Sequence, residues 1–211
     1  MWSLLDRKLQ LTILIGAGIS IAWGLDAAYG LITGEVRGII KWISGTVTIV
    51  GVVLTGLAEV LWRPLWRKFP IIGRKTFPDL SGIWEGTLIS TWIDPATGSS
   101  KPPIPTTITI RQGLFTTTIS LKTGESTSHS TRSFLEPFRD TARFRIWYSY
   151  NNDPQAQYQH RSSPHEGVAF LEVALDDDPN RLTGRYYTAR RTTGDIDVRR
   201  IAQSGPAAAV R

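Results

Sequence analysis

Two hydrophobic patterns divide the chain. From Leu9 to Leu31, and again from Gly38 to Trp62, the residues are apolar around every helical face, with charges such as Asp26 and Glu59 only near the run ends. Each run exceeds the ~20 residues a helix needs to cross a ~30 Å hydrocarbon core. An all-round apolar surface has no soluble partner in a chain of this size. The first run is too long for a cleaved signal, and a second follows it directly. The short connection Ile32–Arg37 therefore predicts a transmembrane helical hairpin over residues 1–63, with spans at about 9–31 and 38–62.

After the basic segment 64–78, punctuated by Pro64, Pro70, Gly73 and Pro78, the period changes from helical to two. Runs rich in Thr, Ile, Val, Tyr, Phe and Trp predict eight strands, at about 82–92, 104–112, 114–122, 126–134, 142–150, 166–175, 181–190 and 194–201. Turn clusters separate them, among them Asn151-Asn152-Asp153-Pro154 and Asp176–Asn180, and only Ser133–Phe138 hints at a helical interruption. Sequential hairpins in this number predict a compact up-and-down antiparallel β-barrel over residues 79–203, which closes its own edges; a sandwich is the alternative. Residues 204–211 read as a disordered tail.

Alternation assigns faces. Tyr186, Thr188, Arg190 and Thr192 share one face of the last hairpin, opposite Arg185, Tyr187, Ala189 and Arg191. Phe144, Ile146, Tyr148 and Tyr150 share a face, as do Ile108, Ile110 and Gln112, and then Ser126, Ser128 and Ser130. Buried polar groups need partners, so such faces are unusual for a pure core. A polar, aromatic-lined lumen suits a ligand with bases, which stack on rings, and phosphates, which accept from arginine. The candidate ligand contacts are Tyr186, Thr188, Arg190, Thr192, Tyr148, Tyr150, Gln112 and Ser128.

In the first span, Thr12, Gly16, Ser20, Gly24 and Ala28 recur every fourth residue. Small side chains let helices approach closely in lipid. Gly16, Ser20, Gly24 and Ala28 are thus candidate self-association residues, with packing inside one hairpin the equal alternative.

Charge sharpens the division. Of the formal net charge +6, residues 1–77 hold 9 Lys/Arg against 4 Asp/Glu, and residues 78–211 hold 15 against 14. Arg7 and Lys8 precede the first span, and Arg63, Arg67, Lys68, Arg74 and Lys75 follow the second. By the positive-inside rule both termini and the barrel face the cytoplasm of a multi-pass inner-membrane protein. The basicity belongs to the anchor, where it meets anionic lipid, and does not point to DNA or RNA. Cysteine is absent, which excludes disulfides and thiol chemistry. His129, His160 and His165 show no zinc-ligand spacing, no nucleophile elbow or phosphate loop occurs, and the run Asp176–Asp178 reads as a solvated turn rather than a metal site. The chain is expected to need no cofactor and not to be an enzyme.

Two spans, then Asp79-Leu80-Ser81-Gly82-Ile83-Trp84-Glu85-Gly86, then a β-rich domain ending Gly184-x-Tyr186-Tyr187-Thr188-x-Arg190-x-Thr192-x-Gly194, make a chain that resembles the two-transmembrane β-barrel effectors of bacterial CBASS antiphage systems. The resemblance covers about residues 9–201. It implies that a cGAS/DncV-like nucleotidyltransferase makes a cyclic dinucleotide on infection. The barrel binds it, the protein oligomerises, and the hairpins disrupt the inner membrane and arrest or kill the cell. Gly82-x-Trp84 also occurs in lipocalin-type barrels, where the Trp packs across the closed end, so Trp84 is expected to be structural. Two other readings stay open: a membrane-tethered lipocalin-like carrier of a lipid or small apolar ligand, and a membrane hydrolase using His165 and Glu166.

Overall fold

The computed structural model describes residues 7–34, 49, 51–52, 56, 62–69, 71, 73, 76–94, 97–138 and 141–202. The chain divides between residues 69 and 70 into two compact units.

The N-terminal unit contains α1 (Arg7–Thr33). Its segment Gln10–Thr33 is long and apolar enough to cross a membrane, and its 24 residues span about 36 Å at helical rise. Gly34, at φ 74°, ends the helix in the left-handed conformation that glycine adopts without strain. The second expected span lies mostly outside the described residues, so the hairpin does too; 49, 51, 52 and 56, which are described, are helical. A further helix, α2 (Trp62–Lys68), takes in the start of the segment expected as a linker. On α1, Gly16, Ser20, Gly24 and Ala28 are all exposed, while the more covered side runs through Ala22. A Cβ built on Gly16 or Gly24 would meet nothing within 4 Å among the described residues. The expected disordered tail at 204–211 lies outside them.

The second unit is a closed barrel of β1 (Gly82–Ser90), β2 (Ile104–Gln112), β3 (Thr117–Thr123), β4 (Ser126–Phe138), β5 (Arg143–Pro154), β6 (His165–Ala174), β7 (Asp178–Thr188) and β8 (Thr193–Ala202). Each strand pairs antiparallel with the next, and β8 returns to β1 from Trp84↔Arg200 to Ser90↔Gly194. The sandwich alternative is thereby excluded. One end carries the N-terminal segment and the β2–β3, β4–β5 and β6–β7 turns; the other carries the β1–β2, β3–β4, β5–β6 and β7–β8 connections.

Expectations about strand limits are corrected at three places, the first being Asp178–Asn180, expected in a turn, which open β7. Residues 133–138 are strand, not helix, because a bulge between Ser130 and Arg132 shifts the register and changes which parity faces inward. Asn151–Pro154, expected as a turn, continues β5, paired with Ser126–His129 on one side. On the other side Asn151 and Asn152 pair with Glu166 and His165.

The interior is apolar over most of its length. Trp84, Ile108, Ile110, Ile146, Ala169, Leu171 and Leu182 have 0% of their surface accessible. A void wide enough for water would register as accessible area on its lining, so side chains fill this region. The expectation of a generally polar lumen is therefore corrected: the middle of the barrel is apolar, and polar side chains lie toward its two ends.

The other end is sealed. Trp84 lies across it, its indole N–H donating to the Leu80 carbonyl at 3.1 Å. The Arg200 guanidinium stacks 4.3 Å from the Trp84 ring centroid and donates to the Asp79 carbonyl at 2.8 Å. Burial holds the Arg200 pKa below the usual arginine value, against the opposing pull of Asp79. Gln112 belongs here, not to a ligand site. It accepts from Leu80 N–H at 2.7 Å and donates to the Pro78 carbonyl at 2.9 Å, locking the incoming chain over the barrel end. Trp84→Ala is expected to remove about 3–5 kcal/mol of stability, measured as a lowered urea midpoint; a loss below about 1 kcal/mol would show that the seal is not structural.

Candidate functional site

The inward side chains form rows across neighbouring strands, and the register gives their order. One row runs Leu135, Ile146, Leu171, Gly184, Ile196 and is apolar. The next row toward the loop end is Ser133, Tyr148, Ala169, Tyr186, Gly194. Beyond it lie Ser130, Tyr150, Gly167, Thr188, and outermost Ser128, Asn152, His165. Polar character thus begins one row beyond Ile146 and grows toward the mouth.

Two glycines seat the tyrosines. Tyr150 is paired with Gly167, and a Cβ on that glycine would collide with the Tyr150 ring. Tyr186 is paired with Gly194, where a Cβ would lie 2.6 Å from Tyr186 Cε1. Each ring therefore lies across the backbone of the adjacent strand, which only glycine permits. The Tyr148 and Tyr150 rings are 5.9 Å apart at 46°. Burial, then the neighbouring Tyr150, pushes the Tyr148 hydroxyl above the ordinary tyrosine value. Burial, with Tyr186 adding to it and Arg190 opposing, pushes Tyr150 up to about 12. Both hydroxyls are neutral donors at physiological pH.

Thr188 and Thr192 serve the turn that presents Arg190. Thr188 N–H donates to the Thr192 carbonyl at 2.9 Å, the two hydroxyls are 2.7 Å apart, and Arg191 N–H donates to the Thr188 carbonyl at 3.0 Å. Arg191 closes the loop at φ 63°. β7 ends at Thr188, so Arg190 is at the hairpin tip and Thr192 on the return, rather than in one continuous strand face. Arg190 Nη1 donates to Ser162 Oγ at 3.1 Å, tying the tip to the β5–β6 loop. His165 Nδ1 lies 3.0 Å from the Ser163 carbonyl. Burial lowers the His165 pKa, the hydrogen bond to Ser163 opposes this, and Arg190 lowers it further.

Of the eight expected contacts, the structure gathers Tyr148, Tyr150, Tyr186, Thr188, Arg190, Thr192 and Ser128 at the loop end and leaves Gln112 at the sealed end. Ser130, which alternation puts on the Ser128 face, also reaches the mouth, and so do His165, Asn152 and Ser162, none of them among the eight candidate contacts. His165 and Glu166 do not form an acid–base pair, because alternation sends Glu166 outward. Glu166 lines a depression of about 530 Å³ on β4–β7, together with Thr131, Ser149, Asn151 and Tyr187 and bordering the mouth residues Tyr150, Gly167 and Thr188. That depression has no cationic lining and is unsuited to a dianion. Asp178 of the acidic run is paired with Arg199 at 3.1 Å.

A filled barrel sealed at one end, with a neutral tyrosine platform and a presented arginine at the other, defines a small-ligand-binding β-barrel domain. The sequence model of the family described as Cap15, cyclic dinucleotide receptor domain, matches residues 75–200. CD-NTase-associated protein 15 of Staphylococcus schleiferi is 30% identical over 165 residues, covering 78% of this chain and 81% of that protein. The chain belongs to the Cap15 family, the CBASS effector family its sequence resembles.

Tyr150 gives the barrel an alkaline signature. Its folded pKa of about 12 stands above the ordinary 10.0, so the unfolded chain ionises first. The associated stability is complete below about pH 10 and is lost as pH rises toward 12. Tyr150→Phe is expected to flatten this alkaline loss in urea unfolding between pH 10 and pH 12. An unchanged slope would place Tyr150 outside the buried layer.

Proposed function

We propose that this protein is a cyclic-dinucleotide-activated membrane effector of CBASS that binds its ligand at the loop-end mouth of the barrel. The observation that carries the reading is the juxtaposition of Tyr150, Tyr186 and Arg190 at the loop end of an otherwise filled barrel in a chain of the Cap15 family. The rings offer stacking faces for bases. Arg190 offers a bidentate donor for a phosphodiester. Tyr148 lies one row deeper than Tyr150, Ser128 belongs to the outermost row at the rim, and Thr188 and Thr192 act through the turn. The ligand comes from a cognate cGAS/DncV-like nucleotidyltransferase, and the chain itself is a receptor without catalysis of its own.

The anchor is a two-helix hairpin in the bacterial inner membrane, with both termini and the barrel cytoplasmic. Ligand binding drives homo-oligomerisation, and the clustered hairpins disrupt the lipid bilayer, arresting or killing the infected cell. The small side chains of Gly16, Ser20, Gly24 and Ala28, exposed among the described residues, support close helix contact between copies. A carrier of apolar ligands is less favoured, because side chains occupy the space such a ligand would need.

The test is calorimetric titration of the full chain in lipid nanodiscs with cyclic dinucleotides covering all pairings of the four ribonucleotides. One or more is expected to bind, and Arg190→Ala or Tyr186→Ala is expected to weaken it about 10- to 100-fold. Binding of none would overturn the reading. Gly16→Leu with Gly24→Leu is expected to retain nucleotide binding but lose ligand-induced dye leakage from vesicles; undiminished leakage would assign the stripe no part in assembly.

A further inference from the structure

The four loop-end connections are joined into a ring. Thr91, just after β1, and Thr193, at the start of β8, exchange hydrogen bonds: Thr91 N–H and Thr91 Oγ1 both reach the Thr193 carbonyl at 2.9 Å. Arg190 in the β7–β8 turn reaches Ser162 in the β5–β6 loop. Gln155, which opens that loop, donates its N–H to the Glu125 carbonyl in the β3–β4 turn at 2.9 Å. The remaining links converge on one carboxylate. Glu125 Oε1 accepts from Arg161 Nη2 at 2.8 Å, and Glu125 Oε2 lies 3.9 Å from Lys101 Nζ of the β1–β2 loop.

One acidic side chain thus bridges two cations from two different loops. Arg161 adjoins Ser162, the hydroxyl that holds Arg190, so both arginines are anchored at consecutive positions of the same loop. Arg181, Arg185 and Arg199 differ: on the outer wall they pair with Asp197, Asp195 and Asp178 of the strands β7 and β8 that carry them, in contacts that bridge no loops. Lys101, Glu125 and Arg161 are all partly exposed, at 37%, 40% and 50%. Pairs of that exposure contribute only about 0–1 kcal/mol, so another oxyanion can displace the carboxylate at small cost.

Resting on the reading of the mouth as a cyclic-dinucleotide site, we infer that Glu125 is an internal stand-in for a ligand phosphate and that Arg161, with Lys101, is the second phosphate contact. A cyclic dinucleotide carries two phosphodiesters. Arg190 takes one, and the other replaces the Glu125 carboxylate on Arg161 and Lys101. Glu125 thereby occupies the cation pair in the absence of ligand and penalises ligands that cannot supply a second phosphate. The exchange breaks the ionic links of the ring and frees the β1–β2 loop from the β3–β4 turn, while the Gln155 N–H bond to the Glu125 carbonyl still ties the β5–β6 loop to it.

The experiment is titration of the full chain in nanodiscs with the tightest-binding cyclic dinucleotide of the panel, comparing wild type, Glu125→Gln, Arg161→Gln and the double variant. Glu125→Gln is expected to tighten binding about three- to tenfold, because the competing carboxylate is gone while its shape remains. Arg161→Gln is expected to weaken binding about tenfold, and Glu125→Gln is expected to bring no gain in the Arg161→Gln background. The Glu125→Gln gain should shrink as salt is raised. A Glu125→Gln variant that binds no tighter overturns the inference, as does a gain that persists without Arg161. If wild type binds and Arg190→Ala loses binding while the Glu125 and Arg161 variants match wild type, this inference alone fails. If no cyclic dinucleotide binds wild type, the reading beneath it fails as well.

Discussion

The stacking of Arg200 on Trp84 is the contact on which the rest of the barrel depends. An eight-stranded barrel has two ends and only enough interior for one layered core. Sealing one end with Trp84, Leu80 and the Gln112 clamp places the apolar rows against a dry floor. The loop end is then released from serving stability and can carry hydroxyls, a histidine and an arginine. Function and stability are segregated along the barrel axis instead of competing for the same side chains.

Much of this was legible in the sequence. Period-two alternation gave all eight strands, and Gly82-x-Trp84 gave the seal. Alternation fails where the wall bends. At the bulge between Ser130 and Arg132 the inward set passes from Ser128 and Ser130 to Ser133 and Leu135, and a fixed period of two reads that slip as the end of a strand. Gln112 shows a second limit. Parity correctly turns it inward, yet parity is blind to position along the axis, and only the register puts it at the sealed end. Arg200 was missed for a related reason: a charged residue at the end of a strand looks like solvent face until the ring beneath it is known. Loop residues such as Glu125 and Arg161 carry no periodic signal at all, and their meeting depends on closure of the whole barrel.

Charge distribution shows how a nearly neutral domain can attend to an anionic ligand. On the outer wall, Arg181 is paired with Asp197, Arg185 with Asp195, Arg199 with Asp178 and Arg145 with Glu172. Such neighbouring pairs cancel at a distance and leave little long-range field. Selectivity must then come from cations placed by loops. Arg190, whose partner at the mouth is the neutral Ser162 hydroxyl, is the clearest of them.

The hairpin that carries Arg190 is built to hold it still. Arg191 sits at φ 63°, a left-handed conformation that costs a side-chain-bearing residue about 1–2 kcal/mol. Glycine would fill that position without strain. The conformation persists because Thr188 and Thr192 over-determine the turn through backbone and hydroxyl bonds, and because Ala189 N–H is tied to the Glu166 carbonyl of β6. Local strain of this kind survives only where its surroundings enforce it, and it concentrates where geometry matters more than stability. On the proposed binding mode, an arginine has several rotatable bonds to immobilise when it binds a phosphate, and the strained tip with its Ser162 tether settles part of that entropy beforehand. In that mode, the strained residue beside Arg190 and the glycines beneath Tyr150 and Tyr186 serve one end: a mouth whose stacking faces and cation are in place before ligand arrives.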